Sequence, residues 1–546
     1  MEAHVKRDRM SHTSRRSSSA LVSWFVASVM ALSSAAVMSP ALAAAKKTIT
    51  AVMHSDLRVI DPVFTPAYIT RDHGYMVYDT LLGTDANFQV QPQMAEWKVS
   101  DDKLTYTFTL RDGLKWHDGT DVTAEDCVAS LQRWSRNDSM GQKLMDATAS
   151  LEATDAKTIT LKLKESYGLV LESIGKPSSY VPFMMPKRLA ETPPNQQISE
   201  QIGSGPFKFV KAEFQPGVKA VYEKNTGYVP RKEPPSWTAG GKVVKVDRVE
   251  WISMPDAQTA VNALQSGDID FMEFPPLDLE PVLSASPDLT MNVLNKFGYQ
   301  TLGRMNFLFP PFDNVKIRRA AFLALNQKDV LDALVGNSKY YKVCGAVFGC
   351  GTPLETELGS ETLVKGNGME QAKKLLAEAG YDGTPVVILA PGDAITLKAQ
   401  PVIAAQLLRA AGFKVDLQTT DWQTVVTRRA SQKSPKEGGW NMFFTNSVIA
   451  DSGNPIGSTF VGARGQKSPF GWPDDPKMEE LRDAFAKAGK PEDQKRIAAE
   501  IQQEVYDQVI YVPLGQWFMP SAWRKSVTGM LEGQAVPVFW NVDKSE

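Results

Sequence analysis

Apolar and polar residues alternate strictly along Leu-Thr-Tyr-Thr-Phe-Thr-Leu-Arg at 104–111, which predicts a strand with one buried face. Asp112-Gly113 then turns the chain. Thr-Ala-Glu-Asp at 123–126 predicts a helix start, with Thr123 as the N-cap and Asp126 three residues on. That helix places Cys127, Val128, Leu131 and Trp134 on one face. Ile159, Leu161 and Leu163 alternate again as a strand. Helical spacing returns over 313–325, 327–334 and 371–379, where Gly380 supplies the stop. The continuous apolar run 386–389 predicts a fully buried strand, followed by a helix near 399–411 and a strand at 413–418. The later half therefore alternates helix and strand, as α/β domains do. The middle is richer in Pro, Gly and hairpin-like strands, and 230–236 (Pro-Arg-Lys-Glu-Pro-Pro-Ser) predicts an exposed excursion.

Residues 1–43 follow a different pattern. Lys6, Arg7, Arg9, Arg15 and Arg16 precede a short apolar stretch over 20–32, and Ala41-Leu42-Ala43 supplies small residues for cleavage. This is the order of a secretory signal peptide. The apolar run is interrupted by Ser and falls short of the roughly 20 residues a spanning helix needs. Arg15-Arg16 keeps twin-arginine export as the alternative to the general secretory route. No Cys lies near the cleavage site, so no lipid anchor is expected and the mature chain is placed in the periplasm. Export also puts the three Cys in an oxidising compartment. Cys344 and Cys350 are flanked by glycines that permit a tight loop, which predicts a 344–350 disulfide; Cys127 is left as a small core residue.

At 546 residues the chain is too long for one ordinary core. Its 60 basic and 62 acidic residues nearly balance, which excludes a nucleic-acid binder that works by phosphate neutralisation. Segment 1–43 carries net +3, so the remainder carries −5. Three Cys and five His leave little room for a multi-ligand metal site, and neither metal nor cofactor is expected. The chain lacks a GxSxG elbow, a phosphate loop and an HExxH pair. His54, His73 and His117 are far apart in sequence and are expected to be hydrogen-bonded core or surface residues rather than catalytic bases. This pattern predicts a binding protein, not an enzyme. A secreted hydrolase stays as the competing class; it would need a nucleophile–base pair.

The run Leu-Thr-Tyr-Thr-Phe-Thr-Leu-Arg-Asp-Gly-Leu-Lys-Trp-His-Asp-Gly-Thr-Asp-Val-Thr-Ala-Glu-Asp at 104–126 closely resembles the signature of the bacterial extracellular solute-binding proteins, family 5. Further landmarks follow in the family's order: Gly-Ser-Gly-Pro-Phe-Lys-Phe at 203–209, Ala-Leu-Gln-Ser-Gly-Asp-Ile-Asp at 263–270, Phe-Asp-Asn-Val-Lys-Ile-Arg-Arg-Ala at 312–320, Ala-Lys-Lys-Leu-Leu-Ala-Glu-Ala-Gly at 372–380 and Tyr-Val-Pro-Leu at 511–514. The resemblance implies an α/β, periplasmic binding protein-like fold, two lobes joined by a hinge with an extra inserted subdomain. It divides the chain into 46–90 and 205–300 for lobe 1, an inserted 91–204, lobe 2 at 301–510, and a return to lobe 1 at 511–546. It implies the solute-binding component of an ABC importer: a monomer that captures a small peptide or similar amine-bearing solute and meets ABC permease subunits in the inner membrane.

Ala-Asp-Ser-Gly-Asn-Pro at 450–455 resembles the family segment whose Asp pairs with a ligand ammonium, which assigns that role to Asp451. The chemistry is sound, because an ammonium taken out of water needs a carboxylate. The family also places Asn306, Trp422 and Tyr68 near its cleft. Arg304, Arg428 and Arg464 are the candidates for a ligand carboxylate. One departure stands out: Ser447-Val448 occupies the place where peptide binders carry Gly-Trp, and Trp440 lies farther upstream. A different pocket wall leaves an opine-like conjugate or a metal chelate as alternative ligands.

Overall fold

The computed structural model describes residues 46–545 except 194 and 534. The leader expected at 1–43 lies outside the described residues. The 104–111 alternation is the strand Thr105–Leu110, with Tyr106, Phe108 and Leu110 buried. It is an inner strand of a four-stranded antiparallel sheet, in the order Ala95–Val99, Thr105–Leu110, Thr158–Leu163, Thr148–Ala153. Thr123 caps the helix Ala124–Ser135 as a capping box: its hydroxyl accepts from the Asp126 amide at 3.3 Å, and the Asp126 carboxylate accepts from the Thr123 amide at 3.0 Å. Cys127, Leu131 and Trp134 are buried on that helix, and burial pushes the Cys127 thiol pKa up, so it stays a neutral core group.

Two larger sheets carry the rest. The first runs Phe207–Phe209, Lys219–Lys224, Arg248–Ile252, Thr48–Val52, Phe271–Met272, Ser521–Arg524, Leu289–Asn292. Its three central strands, Arg248–Ile252, Thr48–Val52 and Phe271–Met272, are parallel. The second runs Tyr341–Lys342, Val512–Trp517, Tyr299–Met305, Met442–Val448, Val386–Pro391, Val415–Thr420. Here Val386–Pro391 is parallel to both its neighbours and wholly buried, as its apolar run requires. Helices Val315–Ala324, Gln327–Leu334, Met369–Glu378 and Ala399–Ala410 lie where helical spacing predicts them.

Two expected boundaries move. The strand expected at 413–418 begins at Val415, because Gly412 (φ +105°) and the Phe413 amide bonded to Leu408 O complete the helix terminus first. The return to the first sheet comes at Ser521–Arg524, not at 511. Val512–Trp517 is buried at every residue, and it meets that demand by pairing between Tyr299–Met305 and Tyr341–Lys342 in the second sheet. The chain thus crosses between the sheets twice, after Asn292 and after Trp517. Cys344 and Cys350 form the expected disulfide, with Cα atoms 6.0 Å apart.

Buried charge ties the parts together. Arg133 grips Asp61 through two bonds of 3.1 and 2.7 Å, joining the Ala124–Ser135 helix to the loop before residue 68. Asp61 also accepts from the Val63 and Ile198 amides, which a buried ion pair needs to offset its desolvation. His73 is wholly buried between Tyr222 Oη (2.9 Å) and Gln201 Oε1 (3.2 Å). His117 approaches the Gly205 carbonyl at 3.1 Å. Burial, only partly opposed by these hydrogen bonds, pulls both imidazoles down to about 4.

The folded pKa of His73 lies below its unfolded value. Its contribution to stability is therefore complete above pH 6.5 and is lost as pH falls towards 4, amounting to roughly 3 kcal/mol. Urea midpoints of the wild type should fall over that window, and His73→Gln should flatten the slope. Parallel pH profiles for the two proteins would refute the assignment.

Candidate ligand cleft

The helix Tyr68–Val77 is buried from Ile69 to Val77, including Arg71, Asp72 and His73. Spacing of three and four residues puts Tyr68, Arg71 and Asp72 on one side of its first turns. The Arg71 guanidinium lies 4.5 Å from the Tyr68 ring centroid and donates to Asp72 Oδ1 at 2.9 and 3.0 Å and to the Ala535 carbonyl at 2.9 Å. Asp72 Oδ1 is thereby engaged, whereas Asp72 Oδ2 is buried with no hydrogen-bond partner. Burial pushes the Asp72 carboxyl up to about 6 against the opposing charge of Arg71.

Tyr68 reaches from this helix to the second sheet. Its hydroxyl donates to Asp451 Oδ2 at 2.8 Å and accepts from the Val448 amide at 3.1 Å. Burial, then the neighbouring Asp451 charge, raises the Tyr68 pKa far above its ordinary value, so the phenol remains a donor. Asp451 sits on the short helix Ile449–Ser452, directly after the strand Met442–Val448. Its Oδ1 is buried without a partner. A buried carboxylate oxygen left unmet is costly.

Tyr68 and Ala450 pack into an apolar cluster that also holds Tyr299, Trp237, Trp517, Phe88 and Phe274. Tyr299 is opposite both Val448 and Trp517 in the second sheet and stacks on Trp517 at 4.8 Å. Phe274 approaches Tyr299 at 6.0 Å, and Phe88, Trp237 and Phe297 pack against one another. The indole N–H groups of Trp237 and Trp517 are buried without acceptors.

The structure brings Tyr68 and Asp451 into contact; the other expected ligand residues stand elsewhere. Asn306 follows Met305, which pairs with Met442 at the far end of the strand, roughly 23 Å from Tyr299 by strand rise. Its amide donates to Trp440 O at 2.9 Å and accepts from the Leu308 amide at 3.0 Å, so it ties chain segments together. Trp422 caps a second-sheet cluster with Val387, Phe443 and Trp440, and Arg429 lies 5.2 Å from its ring. Arg304 is fully buried and donates to the carbonyls of Phe470, Phe460 and Ile510; burial pulls its pKa down to about 9. Arg428 is taken up by Gly438 O, Gly439 O and Gln418, and Arg464 by Glu479 at 2.7 Å. The pattern reading missed Arg71, Asp72, Tyr299, Trp237 and Trp517. One signal was present: Arg71-Asp72-His73 inside an otherwise apolar helix must be buried with partners.

The family described as bacterial extracellular solute-binding proteins, family 5 Middle, matches residues 89–467. The chain is 41% identical over 506 residues to a probable peptide ABC transporter periplasmic-binding protein, y4tO, of Sinorhizobium fredii (strain NBRC 101917 / NGR234), covering 92% of this chain and 94% of the relative. Two solved structures share its fold. One is the periplasmic binding protein AgaA from A.tumefacien R10 in complex with agropinic acid (TM-score 0.73, 21% identity, 91% of this chain and 99% of that one). The other is the ABC transporter-associated periplasmic binding protein DppA from Helicobacter pylori in complex with the peptide STSA (TM-score 0.72, 19% identity, 92% and 99%).

Tyr68→Phe leaves Asp451 Oδ2 and the Val448 amide without their shared partner. It should lower unfolding free energy by about 1–3 kcal/mol in urea titrations. A variant as stable as the wild type would show that this contact is not maintained in solution.

Proposed function

The chain belongs to the bacterial extracellular solute-binding proteins of family 5, and from that premise we propose that it captures a small peptide or similar amine-bearing solute for an ABC importer. The carrying observation is the buried, unpartnered Oδ1 of Asp451, held in place by the Tyr68 bond to Oδ2. A ligand ammonium satisfies that oxygen with a charge-assisted hydrogen bond. The similarity to a probable peptide ABC transporter binding protein supports the peptide class.

Binding, in this reading, makes and breaks no covalent bond, and the protein is not an enzyme. It acts as a monomer in the periplasm, delivered there by the leader at 1–43, and docks on permease subunits of the inner membrane. Among the described residues no helix is long and apolar enough to cross a membrane. The two crossings between the sheets serve as the hinge. Lobe 1 comprises 46–90, 205–300 and the tail from Ser521, with 91–204 inserted; lobe 2 runs from 301 through Val512–Trp517. Tyr68 in the first lobe bonds Asp451 in the second, so a ligand bound at Asp451 favours the closed arrangement that this contact already supports.

A second reading keeps the transport role and changes the ligand. Ser447 and Val448 stand where peptide binders carry Gly-Trp, and the fold is shared with a protein solved with agropinic acid. An opine-like conjugate that keeps a free secondary amine, unlike a lactam, supplies the cation that Asp451 requires.

Calorimetry against di- to pentapeptides, each with a free and an N-acetylated amino terminus, tests the reading. Only the free amines should bind. Asp451→Asn should weaken them by roughly 2–5 kcal/mol while leaving the unfolding midpoint near that of the wild type. Equal binding of the acetylated peptides, or an unaffected variant, would remove Asp451 from the site. Binding of opine-type conjugates without peptides would favour the second reading.

A further inference from the structure

A second polar cluster lies at the carboxyl ends of two adjacent parallel strands in the first sheet. Thr48–Val52 ends just before His54, and Phe271–Met272 ends just before Glu273. Asp72 comes in from the Tyr68–Val77 helix. His54 Nδ1 lies 2.8 Å from Glu273 Oε2 and 3.9 Å from Asp72 Oδ2. All three donor atoms fall within 4.8 Å of one another. A metal bound at about 2.1 Å to each of three tetrahedral ligands needs donor separations of about 3.4 Å, and the two measured distances bracket that value.

We propose that His54, Asp72 and Glu273 form a binding site for one first-row divalent metal ion. Asp72 Oδ2 supplies the independent sign: the residue is 1% exposed, and this oxygen points towards His54 with no hydrogen bond at all. Arg71 holds the same carboxylate through Oδ1, fixing its orientation and leaving Oδ2 for the ion, as outer-shell partners of metal ligands do. Glu273 Oε2 accepts from the His54 amide at 2.9 Å and is also hydrogen-bonded to His54 Nδ1 at 2.8 Å, the second of which an incoming ion replaces. Charge is compatible with a dication, since two carboxylates face one guanidinium. One imidazole nitrogen with two carboxylates suits Zn2+ and its first-row neighbours; Ca2+ and Mg2+ prefer oxygen alone.

The site also has an approach. His54 lines an open recess of about 300 Å³ together with Leu57, Ala220, Trp251 and Met254. Three protein donors leave a fourth position for water or for a donor atom of a small solute. The three ligands are 18 and 201 positions apart in sequence, which is why spacing gave no hint of them.

The test is a titration of tag-free, ligand-free protein with Zn2+ alone, so its outcome is independent of the peptide measurements. One Zn2+ per chain should bind. His54→Ala and Glu273→Gln should each weaken binding more than about tenfold, with circular dichroism like that of the wild type. Excess Mg2+ should not compete. Affinity should fall as pH is lowered, because protons compete for the imidazole and the carboxylates. His54 is partly exposed, so its variant folds even if the Glu273 variant does not. Absence of stoichiometric binding, or undiminished binding in a folded His54→Ala protein, would overturn the proposal.

Discussion

A carboxylate withdrawn from water must be met by donors or by a cation, and this requirement governs the join between the two large sheets. Asp451 is met on one oxygen only, by a tyrosine that belongs to the opposite sheet's helix. The Tyr68 hydroxyl also receives the Val448 amide, so one side chain closes two polar demands across the cleft. What remains unmet is a single oxygen. In the proposed reading, a ligand ammonium meets that oxygen.

Elsewhere several buried charges are closely paired and belong to the scaffold, although unmet buried atoms also occur there, at Arg429 Nε and Asp475 Oδ2. Arg304 sits among three backbone carbonyls close to 2.8 Å and has no unmet donor to offer a ligand. Lys242 meets Asp79 at 2.7 Å, both wholly buried, with Tyr228 adding a bond at 2.8 Å. Arg133 and Asp61 are similarly closed. These groups fix the chain's path. The unmet oxygens of Asp72 and Asp451 instead belong to the helix Tyr68–Val77 and to the short helix that follows the strand Met442–Val448.

The double crossing explains how one chain can hold both halves of such a cleft. Leu289–Asn292 and Ser521–Arg524 are neighbours in the first sheet, and Tyr299–Met305 and Val512–Trp517 are neighbours in the second. Their short connections therefore run side by side. Gly298 adopts φ +64°, and an added Cβ there would come within 2.2 Å of the Trp517 carbonyl, so one crossing presses directly on the other.

By itself the sequence determined the elements and the family. Periodicity at 104–111, the Thr123–Asp126 box and the apolar run at 386–389 are local properties, decided by which face each side chain takes and by nearby backbone bonds. It also proposed Asp451 and Tyr68 as site residues, through short segments that resemble those of a known family. Tertiary structure alone decided that these two touch, that Asn306 and Trp422 are built into the scaffold, and that His54, Asp72 and Glu273 converge. It also decided that Val512–Trp517 joins the second sheet. The physical reason is separation along the chain. Hydrogen bonding and burial between residues hundreds of positions apart depend on strand order and register, and no local pattern encodes those distances.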